Sequence, residues 1–295
     1  MRGPAFAILL CAVASASGPV RGEHVEAELV AEHDSVQPGG TALLGVRFKL
    51  DPRWHVYWKN PGDAGLPPRI VWELPEGVRA GPVEWPAPER IPMGTFVNLG
   101  YSGEVLLPVE VRVPDGYEGD TLPVAATVDW QVCDDSTCVL GDARLELTLS
   151  VRGDAPRPGT WKDLFARTRE RTPGDAPEGL VTAAPDGDRV LLTVRSVADR
   201  LFFFPEKDGV VLYDQPFSAK RDETVLELTR KNPNEPLDRL RGVLVLEGGR
   251  GRESFTVDVA VGEPEPQGGF GVSVPLVLLA AGGALLLLVL LSKRK

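Results

Sequence analysis

The chain has 295 residues, of which 43% are hydrophobic and 25% are charged, and its formal net charge is -10. This composition is typical of folded protein in about two domains and excludes a largely disordered chain. The acidic balance provides no positive field for phosphate groups, which excludes a nucleic-acid-binding protein.

Residues 1–22 predict a secretory signal peptide. A basic second residue precedes the short apolar core Ala5–Ala14, and Ala14-Ser15-Ala16 is a small-residue cleavage signature. We therefore expect this segment to be removed, so that the mature chain begins between Ser17 and Glu23.

The segment 23–151 predicts a β-sandwich. Apolar and polar residues alternate in short runs that Pro and Gly separate, and helical periodicity is nearly absent, which is typical of an all-β domain. We interpret the segment as an immunoglobulin-like sandwich. Its predicted strands are Glu23–Glu32, Thr41–Leu50, Arg69–Leu74, Glu104–Val113, Pro123–Cys133 and Cys138–Val151.

The segment 152–179 predicts a linker that contains one short helix. A small apolar stripe runs along Trp161–Arg171, and Thr160 is the expected N-cap of this helix. A second break rich in Pro and Gly closes the linker at Thr172–Gly179.

The segment 180–262 predicts a second, smaller β-sandwich. It contains no cysteine and no histidine, so it offers no obvious chemistry. We interpret Leu201–Phe204 as a strand that is buried on both faces rather than as a ligand platform. The predicted strands are Arg189–Arg195, Leu201–Phe204, Gly209–Tyr213, Thr224–Thr229, Gly242–Leu246 and Glu253–Val261.

The C-terminal residues predict a membrane anchor. Residues 263–271 form a stalk rich in Pro, Glu and Gly, and residues 272–291 are an almost unbroken apolar run, long enough for a transmembrane helix. The basic tail 292–295 is expected in the cytoplasm, which places both sandwiches outside it. The predicted fold is thus two tandem immunoglobulin-like β-sandwich domains and a C-terminal transmembrane helix.

Two cysteines remain after removal of Cys11 with the signal peptide, and they frame a four-residue segment. Strand alternation places Cys133 and Cys138 on the polar face, because Val132 and Val139 belong to the core-facing sets. A four-residue turn pairs the cysteines directly. Opposed residues have Cα atoms about 4.5–5.5 Å apart, within the disulfide range of roughly 4.4–6.8 Å. The sequence predicts one exposed disulfide.

The residues alone leave two interpretations of this pair open. A lone disulfide in an exported domain is more often structural, and Asp134 and Asp135 disfavour a reactive thiolate. On the other hand, a disulfide across so short a loop adds little chain-entropy stabilisation. A metal site is the weaker hypothesis, because His24, His33 and His55 are scattered, and we predict neither metal nor cofactor.

Four motifs surround and include the cysteine pair. They are Trp54–Pro68, Trp85–Arg90, Asn98–Val105, and Trp130-Gln131-Val132-Cys133 with Cys138. In order and spacing these motifs resemble the N-terminal periplasmic domain of the thiol:disulfide interchange protein DsbD and its ScsB-like relatives. The resemblance covers about Glu23–Val151, and the second sandwich resembles, less distinctively, the following segment of the ScsB-like branch.

The resemblance implies a redox-active pair, Cys133 and Cys138, in a bacterial inner-membrane protein whose sandwiches face the periplasm. The pair would receive electrons from a membrane-embedded thiol donor and reduce periplasmic thioredoxin-like or disulfide-bonded proteins. In the family a loop caps the disulfide, and the matching stretch is about Pro86–Tyr101. The residues expected to cap or flank the pair are Phe96 as the cap, Glu89 as an acidic neighbour, Tyr101, His55 and Tyr57, although the residues alone equally favour core packing for the aromatic rings.

This sequence departs from the family pattern in three respects. Full-length members continue into a multi-spanning segment with its own cysteines and a thioredoxin-like domain, whereas this chain has one predicted span without cysteine. The four-residue cysteine spacing differs from some relatives, and Leu140-Gly141 replace the usual proline. We therefore expect a separate electron donor. The alternative is a non-catalytic, membrane-anchored docking module with a structural disulfide.

Overall fold

The computed structural model describes residues 18–249 and 251–262. Most of the predicted signal peptide lies outside these residues, as do the stalk 263–271, the transmembrane helix 272–291 and the tail 292–295. In the described part of the chain, no helix is long and apolar enough to cross a membrane.

Residues 20–151 form the predicted first sandwich from two sheets. One sheet has the strand order β1-β2-β4-β10-β7, and the other has the order β3-β12-β11-β5-β9-β8, with β6 also paired to β11. The strands are β1 (Val20–Gly22), β2 (Val25–Ala31), β3 (Ser35–Val36), β4 (Thr41–Leu50), β5 (His55–Gly62), β6 (Arg69–Glu73), β7 (Arg79–Val83), β8 (Glu89–Met93), β9 (Phe96–Ser102), β10 (Glu104–Arg112), β11 (Thr121–Cys133) and β12 (Cys138–Val151).

The period-2 alternation of β11 and β12 builds the core between these sheets. Val124, Val128 and Val132 of β11 are buried, and so are Leu145 and Leu149 of β12. The predicted core-facing sets are therefore confirmed, because successive side chains of a strand point to opposite faces.

Strand β1 lies within the segment predicted as a signal peptide. It pairs antiparallel with β2, and Arg21 forms an ion pair of 2.7 Å with Asp51. The first sandwich therefore begins at Val20 rather than at Glu23. A cleavage site at the Ser17 end of the predicted interval keeps this strand.

The predicted linker is docked on the first sandwich. Its helix, α1 (Lys162–Arg171), packs Leu164 and Phe165 against Val30 and Leu106. The N-cap is Trp161, not the predicted Thr160, and no side chain caps the helix. The apolar contact, rather than capping, fixes the helix in place.

The second sandwich also has two sheets, with the orders β13-β20-β19-β16 and β14-β15-β18-β17. Its strands are β13 (Gly174–Asp175), β14 (Val181–Asp186), β15 (Arg189–Val194), β16 (Arg200–Pro205), β17 (Phe217–Lys220), β18 (Glu223–Thr229), β19 (Arg239–Gly248) and β20 (Gly251–Ala260). The strand predicted over Gly209–Tyr213 is wrong. Gly209 adopts φ +82° within a turn, and Val211 makes only an isolated bridge to Arg230.

Strand β16 is buried on both faces, as predicted. Leu201 and Phe203 belong to the core of the second sandwich, whereas Phe204 packs with the core of the first sandwich. The rings of Phe204 and Trp58 lie 6.4 Å apart, centroid to centroid. The two sandwiches therefore share an apolar contact within one compact unit of the chain.

Candidate redox site

A disulfide joins the end of β11 to the start of β12. Cys133 pairs with Cys138 across the hairpin, and their Cα atoms are 4.1 Å apart. The Asp134 N–H donates to the Thr137 carbonyl at 2.9 Å, so the cysteines occupy the next, non-hydrogen-bonded position. Residues at such positions approach most closely, to about 4.5 Å. The predicted pairing and register are confirmed.

The turn between the cysteines holds an ionised carboxylate. Asp134 Oδ1 accepts hydrogen bonds from the backbone N–H groups of Ser136 and Thr137 at 2.8 and 2.9 Å. These two hydrogen bonds lower the pKa of Asp134 below its usual value. A negative charge beside the disulfide disfavours a second negative charge on the cysteines.

The two sulfur-bearing residues differ in exposure. Cys138 is exposed, whereas Cys133 is completely buried, so the prediction of an exposed pair is correct for one cysteine and wrong for the other. The cause is the sheet order. In the described residues β12 pairs only with β11 near Cys138, whereas β11 has β5 on its other side, with His55 opposite Cys133.

Tyr57 contacts the buried sulfur. Its hydroxyl donates a hydrogen bond of 2.9 Å to Cys133 Sγ. Burial raises the pKa of Tyr57 to about 12, which keeps the hydroxyl protonated at neutral pH. A Cβ added at Gly65 would lie 2.2 Å from the Tyr57 ring, so the absence of a side chain at Gly65 allows the loop to cover this ring.

Asn98 and His55 complete the buried polar group around the sulfur. Asn98 Nδ2 lies 3.3 Å from the Tyr57 hydroxyl, to which it donates, and 3.4 Å from His55 Nε2. Burial lowers the pKa of His55, although Asp135 and Asp134 oppose this shift, so the imidazole is neutral at pH 7. These residues share the outer face of the sheet with Cys133, because His55 and Tyr57 alternate with the core residue Val56.

Of the predicted flanking residues, His55 and Tyr57 lie beside Cys133. For the other three, no hydrogen bond or ring contact to the cysteines is present within the described residues. Tyr101 faces the core, because it is on the opposite face of β9 from Asn98. Its hydroxyl donates to the Pro86 carbonyl at 2.7 Å. Glu89 forms an ion pair with Arg171 at 3.0 Å. Phe96, the expected cap, is 55% exposed at the start of β9. Within the described residues, no ring contact or hydrogen bond joins it to the cysteines.

The resemblance also placed Asn98-Leu99-Gly100 near the pair, as a loop-forming element, without a role for Asn98. Asn98 does lie at the site, but in strand β9, between Val97 and Leu99, rather than in a loop. A polar residue between two apolar residues is the pattern that could have indicated a place on the outer face.

Residues that could hold a metal are not clustered in the part of the chain that the structure describes. There, no group of three or more His, Cys, Asp and Glu side chains is arranged to bind a metal ion.

A model of the family described as thiol:disulfide interchange protein DsbD, N-terminal, matches residues 26–150. The solved N-terminal periplasmic domain of ScsB from Proteus mirabilis is 17% identical, with a TM-score of 0.61, and the match covers 83% of this chain and 98% of that one. An identity of 17% shows a similar fold only. The matched part of this chain is longer than the first sandwich.

A second solved structure, titin domains Z1Z2 in complex with telethonin, is 14% identical. That match covers 83% of this chain and 100% of the titin chain, and its TM-score is 0.20. No curated protein sequence matches the chain. The family match spans the disulfide, its register and the strands that bury Cys133, and the chain therefore carries, over residues 26–150, a DsbD N-terminal-like domain.

Proposed function

We propose that the chain is an extracytoplasmic thiol–disulfide exchange module. It passes reducing equivalents from a membrane-embedded thiol donor to periplasmic thioredoxin-like or disulfide-bonded proteins through Cys133 and Cys138. The unequal exposure of these two cysteines carries the proposal. An attacking thiolate needs one accessible sulfur, and the other sulfur has to leave as a thiolate. A structural disulfide requires neither property.

The first step is the attack of a donor thiolate on the exposed sulfur of Cys138. A new S–S bond forms between the donor and Cys138, the Cys133–Cys138 bond breaks, and Cys133 takes the electron pair as a thiolate. A second donor thiol then attacks the donor sulfur of the mixed disulfide. This step releases Cys138 and leaves the donor oxidised and both cysteines reduced.

Tyr57 stabilises the sulfur that leaves. Its hydroxyl already donates to Cys133 Sγ at 2.9 Å, and this hydrogen bond strengthens as negative charge develops on the sulfur. Because the pKa of Tyr57 is raised to about 12, the hydroxyl keeps its proton at neutral pH and can donate it in a hydrogen bond to the sulfur. In this first step the nucleophile is the thiolate of the donor.

The reduced pair then passes its electrons to a client protein. Cys138 attacks the client disulfide, and Cys133 resolves the mixed disulfide, which restores the Cys133–Cys138 bond and releases the client as a dithiol. Two electrons enter and two electrons leave in each cycle, so that no cofactor is needed.

The proposed location is the periplasmic side of the bacterial inner membrane, with one C-terminal span. The signal-peptide pattern of residues 1–22 and the apolar run 272–291 support it. The electron donor is a separate protein, because this chain has no cysteine in the predicted span.

The reduction potential of the disulfide tests the proposal. The full-length chain carrying Cys11→Ser is equilibrated with thiol buffers, and thiol trapping reports the reduced fraction. A value of roughly -180 to -270 mV would lie within reach of thioredoxin-like partners. A value below about -300 mV would overturn the proposal and favour the alternative, a docking module whose disulfide is structural.

A further inference from the structure

Strand β5 connects the disulfide to the second sandwich. His55 and Tyr57, at its first end, contact the site described above. At its other end Lys59 forms an ion pair of 2.8 Å with Glu206, and Asn60 Nδ2 donates to the Pro205 carbonyl at 2.8 Å. One strand thus carries both the residues of the redox site and residues that bind the neighbouring sandwich.

Asp63, directly after β5, forms a second connection. Its N–H donates to the Val97 carbonyl at 3.0 Å, and its Oδ2 accepts from the Val97 N–H at 2.9 Å. Its Oδ1 accepts from Lys231 Nζ at 3.2 Å. Lys231 belongs to the second sandwich, where it also pairs with Asp208 at 2.8 Å and lies 4.7 Å from the centroid of the Tyr213 ring. One lysine of the second sandwich therefore binds the carboxylate that holds Val97.

Two further contacts join the second sandwich to the start of β8. The guanidinium of Arg90 in β8 lies 5.2 Å from the centroid of the Phe202 ring, and Arg252 donates to the Pro88 carbonyl at 2.9 Å. Residues of the second sandwich thus bind the start of the hairpin directly and, through Asp63, its second strand.

Val97 precedes the residue that contacts the redox site. Asn98 donates to the Tyr57 hydroxyl, which in turn donates to Cys133 Sγ. We infer that Lys231 is a positioning residue for the disulfide: by holding Asp63 it fixes Val97, and so keeps Asn98 and Tyr57 placed against Cys133. The second sandwich then has a role in the exchange reaction as well as in the fold.

The charges around Lys231 give the physical reason. The Lys231 side chain is only 20% exposed, so solvent does not replace it readily when it is removed. Burial alone would lower the pKa of Lys231, but the hydrogen bonds to Asp208 and Asp63 raise it above its usual value. Without the lysine, two carboxylates that it now joins would repel each other. Asp63 would move, and the hydrogen bonds that fix Val97 would loosen.

The test measures the rate constant for reduction of the disulfide by dithiothreitol in the full-length chain carrying Cys11→Ser. We expect Lys231→Met to lower this rate constant about threefold to tenfold, the effect of weakening one hydrogen bond to the leaving sulfur. Lys231→Arg restores the rate, because it keeps the charge. Lys59→Met is the matched control, since it removes another ion pair at the same interface but not the contact with Asp63.

A double-mutant cycle separates positioning from a general structural effect. If Lys231 acts through Tyr57, then Lys231→Met has no further effect on the rate in a Tyr57→Phe background. Independent effects of the two substitutions, an unchanged rate for Lys231→Met, or equal slowing by Lys59→Met would each overturn the inference. Should Lys231→Met lose the native near-ultraviolet spectrum, Lys231→Gln also removes the charge between Asp63 and Asp208, keeps a polar side chain, and is measured with the same expectation.

This inference rests on the proposed exchange at Cys133 and Cys138, and its test can fail separately. Dithiothreitol reacts with the disulfide without any biological partner. A disulfide that is too stable for partner proteins would contradict the proposed function but would leave the rate comparison intact. A disulfide in the expected range, with no dependence of its rate on Lys231, would contradict only the role of the second sandwich.

Discussion

The buried polar groups around the disulfide differ in their hydrogen bonds from those of the second sandwich. In the second sandwich, Gln215 exchanges hydrogen bonds of 2.9 and 2.8 Å with the backbone of Phe203, and Thr224 donates to the Ser196 carbonyl at 2.8 Å. In the first sandwich, Asn98 and Tyr57 instead face one another and a sulfur. Side chains bonded to backbone stabilise a fold, whereas side chains bonded to each other and to a reactive atom remain available for chemistry.

The largest expected effect is on mixed-disulfide formation, and it follows from removal of the exposed sulfur. Cys138→Ser should abolish mixed-disulfide formation with a thioredoxin-like protein, because the buried Cys133 is not accessible to a protein partner. Cys133→Ser should accumulate the mixed disulfide, because the resolving sulfur is absent. Non-reducing electrophoresis of both full-length variants, each with Cys11→Ser, measures this difference. Equal capture by the two variants would contradict the assigned order of attack.

The next largest expected effect is a loss of stability, caused by a methyl group placed beside the Tyr57 ring. Gly65 has φ +109°, and its Cβ would meet that ring, so we expect Gly65→Ala to lower the free energy of unfolding by roughly 2–5 kcal/mol. The control in the second sandwich is Gly209→Ala, with φ +82° and no atom near its Cβ, for which about 1 kcal/mol is expected. Denaturant unfolding measures both, and equal losses would show that the ring contact contributes nothing.

Removing one buried hydroxyl group from each sandwich should affect the rate of disulfide reduction in only one case. Tyr57→Phe should slow reduction by dithiothreitol about threefold to tenfold, because the leaving thiolate loses its hydrogen-bond donor. Thr224→Val removes a buried hydroxyl of the second sandwich and should cost about 1 kcal/mol of stability without changing that rate. If both variants slowed the reaction equally, the rate would reflect general loosening of the structure rather than chemistry at the sulfur.

The smallest expected effect is the pH dependence that His55 gives to stability. Burial lowers the pKa of His55 in the folded state, so the unfolded chain binds the proton more readily. This contribution to stability is complete above the unfolded pKa of about 6.5 and is lost as the pH falls through the folded pKa. Denaturation midpoints at about pH 7.5 and 5.5 should therefore differ less for His55→Gln than for the parent chain. An unchanged difference would contradict a buried, neutral imidazole.

Local sequence information was sufficient for the hairpin that carries the cysteines. The alternation of β11 and β12 and the length of the turn fix which residues face the core and which cysteine opposes which, and the structure confirms both. The burial of Cys133 was not predictable in this way, because β5 covers it from 76 residues earlier in the chain. Alternation defines the faces of a strand, but it does not identify the neighbouring strand.

In the second sandwich, too, the local pattern did not identify the neighbouring elements. The run Leu201–Phe204 was recognisable as buried on both faces, but nothing in it indicates that Trp58 covers the outer face. The apolar run Gly209–Tyr213 suggested a strand where Gly209 makes a turn. Both Phe96 and Glu89 were placed by the resemblance rather than by local pattern, and their contacts depend on how the hairpin of β8 and β9 folds back.

Strand β1 connects the predicted signal-peptide cleavage to the fold. Its three residues, Val20–Gly22, cover the outer edge of β2. Signal-peptide removal after residue 22 would leave β2 with an open row of backbone donors and acceptors, which invites pairing with another chain. Removal near Ala16 leaves the covering strand in place. The position of the predicted cleavage thus decides whether the short strand β1 or the longer strand β2 forms this edge of the sheet.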